Sequence, residues 1–138
     1  MPDGNTLRWA PVGVDGLHAL QPCRVWAGKG VPAMIYDFRM YTLKPGGTPE
    51  YMAAVKEVAL PLREKHGIKL AGWYYSDIGD LNQVVHIWAY RDHEHMEKAK
   101  GEVSNSAEWK EKYVPRVRPL IVAQKTYIML SPDFAPQP

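Results

Sequence analysis

GDLNQVVHIWAY, residues 79–90, opens with turn residues and runs into a strand that is apolar or aromatic on both sides. Strand side chains alternate, so Val85 and Ile87 point one way while Val84, His86, Trp88 and Tyr90 point the other. A sheet with one wet face carries polar residues on that face. Neither side of this strand is polar, so both faces need a cover, and a chain of 138 residues is short of material to supply both. The pattern predicts a partner and a shared, aromatic-lined cavity. We expect Val85 and Ile87 to meet the protein's own helices and the His86 set to face that cavity.

The segments on either side extend the reading. IYDFRMYTL, residues 35–43, alternates as a strand, with Tyr36, Phe38 and Met40 on one face and Asp37, Arg39 and Tyr41 on the other. Gly46 and Gly47 break it. Thr48 followed by Pro49 reads as an N-cap with proline at the first helical position. Tyr51, Val55, Val58 and Leu62 then form an apolar helical stripe, within which Pro61 predicts a kink or a restart. His66 and Gly67 read as the helix end. Residues 69–77 make a second strand, aromatic on both faces through Trp73, Tyr74 and Tyr75, and Gly79–Asp80–Leu81 turns it into the third. Asp92 caps a second helix carrying Met96, Ala99 and Val103. Ser106 caps a shorter piece with Trp109 and Tyr113, ended by Pro115 and Pro119. LIVAQKTYIML, residues 120–130, is the last strand.

Strand, helix, strand, strand, helix, strand folds through right-handed crossovers into a ferredoxin-like α+β domain: a four-stranded antiparallel sheet with its helices on one face. The bare face, expected to hold Arg39, Tyr41, Trp73 or Tyr74, His86 and Trp88, is too apolar to stay wet. Two such sheets pairing face to face would form a dimeric α+β barrel, and a homodimer is the simplest such assembly.

Composition excludes several classes. A formal charge of +2, with basic and acidic residues interspersed, predicts neither nucleic-acid binding nor membrane steering. No apolar run approaches the roughly 20 residues of a membrane span, so no membrane insertion is expected. Cys23 is alone, which predicts a reduced, cytoplasmic protein. Residues 1–33 hold four prolines and five glycines without a sustained period and read as a disordered or loosely ordered leader, with Met34 opening the domain. Arg8, Arg24 and Lys29 hint at an organelle transit peptide, against which stand Asp3, Asp15 and the scarcity of serine. The domain is expected over 34–131, followed by a tail at 132–138.

MIYDFRMYTLKPG (34–46), LPLREKHGIKLAGWYYSDIG (60–79), GDLNQVVHIWAY (79–90) and AEWKEKYVPRVRPLIVAQ (107–124) resemble, in order and spacing, segments of the NIPSNAP family within the dimeric α+β barrel group. The resemblance spans about residues 34–130. It implies a dimeric barrel and an activity that is poorly defined. Eukaryotic members are associated with mitochondria and vesicle traffic, which makes a mitochondrial location the alternative to a cytoplasmic one. Related barrels include cofactor-free monooxygenases and haem-degrading proteins.

His86 and Arg39 are the candidate catalytic residues. A neutral imidazole at 86 offers a base, a hydrogen bond to a ligand carbonyl, or an iron ligand, against a purely structural histidine. Arg39 either pairs with Asp37 two residues away or clamps an anionic group, with Tyr41 beside it as a donor to the same ligand. Trp73, Tyr75 and Trp88 are candidate walls for a small aromatic or apolar ligand, and equally an ordinary core. Asn82 and Gln83 read as turn closers, and Gln124 has ambiguous parity. Arg63 and His66, three apart, read as the helix end, with anion binding as the alternative. His93, Glu94 and His95 cannot readily share a metal ion on a helix. The glycines at 28, 30, 46 and 47 lack the spacing of a phosphate or dinucleotide loop, so neither metal nor cofactor is expected.

Two functions remain open at this point. One is a small-molecule site in the barrel, either an enzyme or a ligand binder. The other is an adaptor whose barrel is only a dimerisation scaffold and whose docking surface includes Trp109 and Tyr113.

Overall fold

The structure, a computed structural model, describes residues 34–136 and 138; the proposed leader at 1–33 lies outside them. Its strands are β1 (Ile35–Leu43), β2 (Lys69–Tyr75), β3 (Gln83–Tyr90) and β4 (Ile121–Leu130), hydrogen-bonded in the order β2-β3-β1-β4 with every pairing antiparallel. This is the α+β ferredoxin-like order expected. Two helical arms connect the strands. The first runs from α1 (Thr48–Ala54) through a π turn (Val55–Ala59) into α2 (Leu60–Lys65). The second runs from α3 (His93–Asn105) through a π turn (Glu108–Tyr113) into α4 (Val114–Val117) and a short 3-10 turn (Arg118–Leu120).

Each π turn has a proline as its cause. Pro61 and Pro115 have no N–H to donate, and their rings crowd the carbonyl four residues earlier. The helix answers by widening: Leu60 N–H bonds to Val55 O, and Val114 N–H to Trp109 O, five residues back. The expected kink at Pro61 is therefore a local widening that keeps one continuous arm. The two wide turns pack against each other over the sheet.

The predicted caps mostly hold. Asp92 Oδ1 accepts from His95 N–H at 2.7 Å, and Ser106 Oγ accepts from Trp109 N–H at 3.2 Å while donating to Val103 O. Gly67, at φ +72°, ends the first arm in the left-handed conformation that glycine tolerates best. At the front of that arm Gly47, not Thr48, is the N-cap, and no side chain caps it. Asn82, at φ +61°, lies in the turn before β3, and its backbone oxygen accepts from Leu43 N–H at the end of β1.

The faces of the sheet are reversed relative to the expectation from sequence. Val84, His86, Trp88 and Tyr90, together with Asp37 and Tyr41, lie beneath the helical arms and are buried there. Phe38, Met40, Val85 and Ile87 occupy the opposite face, which none of the described helices covers, and are only half-buried. Tyr127 and Met129 of β4 and Tyr74 of β2 share that open face and are exposed. The face expected to be bare, with Arg39, Tyr41, His86 and Trp88, is thus the one the helices cover, because the arms bring hydrogen-bonding and ring partners to it. β4, the edge strand, is exposed along nearly its whole length despite carrying Val122, Tyr127, Ile128, Met129 and Leu130. Among the described residues no helix is long and apolar enough to cross a membrane.

Candidate functional site

A cleft of about 560 Å³ opens between the helical arms and the β1–β4 side of the sheet. Its floor is Arg39, Tyr41, His86 and Gln124; its roof is Tyr51 and Arg63 from the first arm and Trp109, Tyr113, Val114 and Val117 from the second. Antiparallel pairing sets the floor. Arg39 lies opposite His86, and Tyr41 opposite Gln124, so all four project to the helix side. The π turns set much of the roof, because Trp109 and Tyr113 lie within the second and Arg63 lies in α2, one turn beyond the first.

His86 is held by both ring nitrogens. Trp88 Nε1 donates to His86 Nδ1 at 2.7 Å, and the Tyr51 hydroxyl lies 3.3 Å from His86 Nε2. An indole nitrogen can only donate, so Nδ1 carries the lone pair and Nε2 the proton, which His86 gives to the Tyr51 oxygen. Burial, reinforced by the charges of Arg39 and Arg63, pushes the His86 pKa down to about 3. The imidazole is therefore neutral at physiological pH, and neither nitrogen has a free lone pair for a base or an iron ligand. Tyr113 O–H meets Tyr51 O at 3.5 Å. Burial, with Tyr113 beside it, pushes the Tyr51 pKa far up, so this hydroxyl stays protonated.

Arg39 is bound to its own strand. Its Nε and Nη2 donate to Asp37 Oδ2 at 3.0 and 2.8 Å, and its Nη1 donates to the Tyr41 hydroxyl at 2.9 Å. Lys100 Nζ reaches the same Asp37 oxygen at 3.1 Å from α3. Burial alone would raise the Asp37 pKa, but Arg39 and Lys100 outweigh it and hold the carboxyl below the usual range. Of the two readings for Arg39, pairing with Asp37 is the geometry observed.

Of the remaining candidates, Trp88 is fully buried under Arg63, with the guanidinium carbon 4.3 Å from the ring centroid. Trp73 packs on Tyr51 at 6.4 Å, behind the cleft rather than in it. Tyr75 is 60% exposed and away from the cleft. Among the described residues no group of three or more His, Cys, Asp or Glu is arranged to hold a metal ion.

Arg63, read from the sequence as part of the helix end with anion binding as the alternative, does lie in the last turn of α2. It is 5% exposed, sits between Trp88 and Trp109 and lines the cleft, whereas His66 turns away to an exposed pairing with Glu102. A signal was available in the sequence: Arg63 follows Leu62 of the apolar stripe, one step around the helix.

The NIPSNAP family model matches residues 36–136. The chain belongs to the NIPSNAP family. It is 33% identical to human NipSnap homolog 2 over 105 residues, which is 74% of this chain and 35% of that protein. It is 30% identical to human NipSnap homolog 3A over 95 residues, 69% of this chain and 38% of that one. The chain thus spans about a third of the length of the curated relatives it matches. Among solved structures, a NIPSNAP-like domain protein from Burkholderia xenovorans superposes with a TM-score of 0.69 at 34% identity, covering 75% of this chain and 90% of that one. A NIPSNAP family protein of unknown function from Agrobacterium tumefaciens gives 0.70 at 30%, covering 76% and 94%.

Proposed function

We propose that this NIPSNAP domain works as a homodimer in which each protomer binds a small organic molecule in the cleft between its helical arms and its sheet. The observation that carries the reading is the cleft itself: about 560 Å³, roofed by aromatic rings and floored by ordered polar groups. Ligand pockets combine those two properties, being mostly apolar with a few placed polar atoms. Pairing through the open sheet face is supported by Phe38, Met40, Val85, Ile87 and Met129, an apolar surface that no helix among the described residues covers. A shared barrel would then lie on the opposite side of the sheet from the ligand.

The site favours binding and orientation over base catalysis. His86 has both nitrogens engaged, and the tyrosine hydroxyls Tyr51 and Tyr113 are held in their protonated form by burial. The adaptor reading loses the docking surface it relied on. Tyr113 is buried against Tyr51, and Trp109 packs on it at 4.2 Å and over Arg63.

Native mass spectrometry of the untagged protein tests both halves. A dimer carrying an extra small mass is expected, and Val114→Trp, which fills the cleft from its rim, should remove that mass while leaving the dimer. A dimer at the mass of its bare chains, in the wild-type protein as in Val114→Trp, would count against a resident ligand, and a monomer would sink the face-to-face pairing.

A further inference from the structure

Arg63 is buried without a counter-charge. Among the described residues no carboxylate forms an ion pair with it, and its Nε has no hydrogen-bond partner. Two other arginines have carboxylates: Arg39 has Asp37, and Arg116 has Glu50 and Glu57. Two indoles flank Arg63 instead, at 4.3 and 5.2 Å from its guanidinium carbon. Indole rings attract a cation but accept nothing from its in-plane N–H groups. Burial lowers the Arg63 pKa; Tyr90 opposes that, and the like charge of Arg39 adds to it. Tyr90 is a neutral neighbour, because burial pushes its own pKa up.

A buried guanidinium is costly unless something negative meets it. Arg63 lines the cleft, so the space in front of it is where that negative group would sit. The surrounding walls, Trp109, Tyr113, Val114, Val117 and Ile121, are apolar or aromatic. A suitable ligand therefore has one charged head and an otherwise apolar, flat body. A guanidinium fork matches a carboxylate in two parallel hydrogen bonds. A phosphate would ask for more cationic donors than the cleft interior offers, since Arg39 is committed to Asp37 and Arg118 is exposed at the rim.

We propose that the cleft recognises a small organic carboxylate with a flat apolar body, its carboxylate paired to the Arg63 guanidinium. This rests on the cleft being a ligand site, and it adds the chemical class of the ligand.

The test is a tryptophan-fluorescence titration of the full chain with three probes: 2-naphthoate, its neutral amide 2-naphthamide, and inorganic phosphate. Naphthoate is expected to saturate with a Kd about tenfold or more below that of the amide, with phosphate failing to compete. In Arg63→Met, a near-isosteric apolar replacement, the two organic probes should bind alike. Equal affinity of acid and amide in the wild-type protein would overturn the carboxylate assignment while leaving the cleft as a ligand site. Phosphate displacing naphthoate would overturn it in favour of an inorganic anion. Failure of both organic probes to bind would remove the ligand site and this proposal together. A thermal melt of Arg63→Met gives a separate reading. Removing an uncompensated buried charge should raise Tm, whereas a lowered Tm with the acid preference intact would make Arg63 structural.

Discussion

The two faces of this sheet are both rich in apolar residues, but only the covered one, built around Ile35, Leu43, Val84 and Trp88, has a polar network set into it. The covered face holds the polar and charged side chains Asp37, Arg39, Tyr41 and His86, tied to one another and to the helices by hydrogen bonds. The open face holds Phe38, Met40, Val85 and Ile87, with Phe38 against Tyr127 at 6.1 Å. Polar groups under cover need partners for their donors and acceptors, and their own strands and the arms supply them for Arg39, His86 and one Asp37 oxygen. The difference teaches that the two faces answer different demands. Polarity kept under cover marks a surface arranged around a cleft, and apolarity left open marks a surface arranged for another protein surface.

Charging the open face should have the largest effect. Ile87→Glu places like charges across a two-fold interface, which costs several kcal/mol. Sedimentation should show dimer giving way to monomer at micromolar concentration, with naphthoate binding retained. A dimer that survives the substitution would move the interface elsewhere, with the exposed β4 edge the next place to test.

On the covered face, Asp37→Ala leaves Arg39 and Lys100 without their shared carboxylate. Losing one partner of a buried pair costs about 3 kcal/mol or more, and the partial exposure of Lys100 argues for the lower end. Urea denaturation measures it. A loss below about 1 kcal/mol would show the network to be solvated and the contrast between faces weaker than drawn.

Acid should act on the covered face through His86 and Asp37. The His86 pKa is depressed to about 3 in the folded protein from an ordinary value of 6.5, so the unfolded chain binds the extra proton first. Stability is therefore full above about pH 6.5 and falls as pH drops toward 3, by up to about 1.4 kcal/mol per pH unit. Asp37, also depressed, adds a further loss as pH falls below the ordinary carboxylate value. His86→Gln should flatten the slope of unfolding free energy between pH 6 and 4.5; an unchanged slope would mean that the ring is not buried neutral.

The smallest effect is expected at Tyr75, which is on neither the open face nor the cleft. Tyr75→Ser should change stability by less than about 0.5 kcal/mol and leave the naphthoate titration unaltered. A weakened titration would extend the ligand site along β2.

Much of this was legible in the chain. Alternation in residues 35–43 and 83–90, the turn glycines and the caps at Asp92 and Ser106 are local signals, and they determined the element order, the α+β class and the sets of residues that share a face. The pairing of Arg39 with Asp37 was legible for the same reason, since residues two apart on a strand project together. Alternation, however, states only which residues point together, never which way, and where both sets are rich in apolar residues hydrophobicity cannot choose. That choice was made by the helices. They bring Tyr51, Tyr113 and Lys100 as hydrogen-bonding partners for His86, its network and Asp37, which the open face does not offer. Arg63 was hidden for a related reason: a cation beside a helix end looks like a cap until two distant indoles, Trp88 and Trp109, are seen to close over it. The sequence by itself determined the strands, the arms and the company each side chain keeps. Only the tertiary structure decided which company lies inside, because burial depends on what another segment brings to the surface it covers.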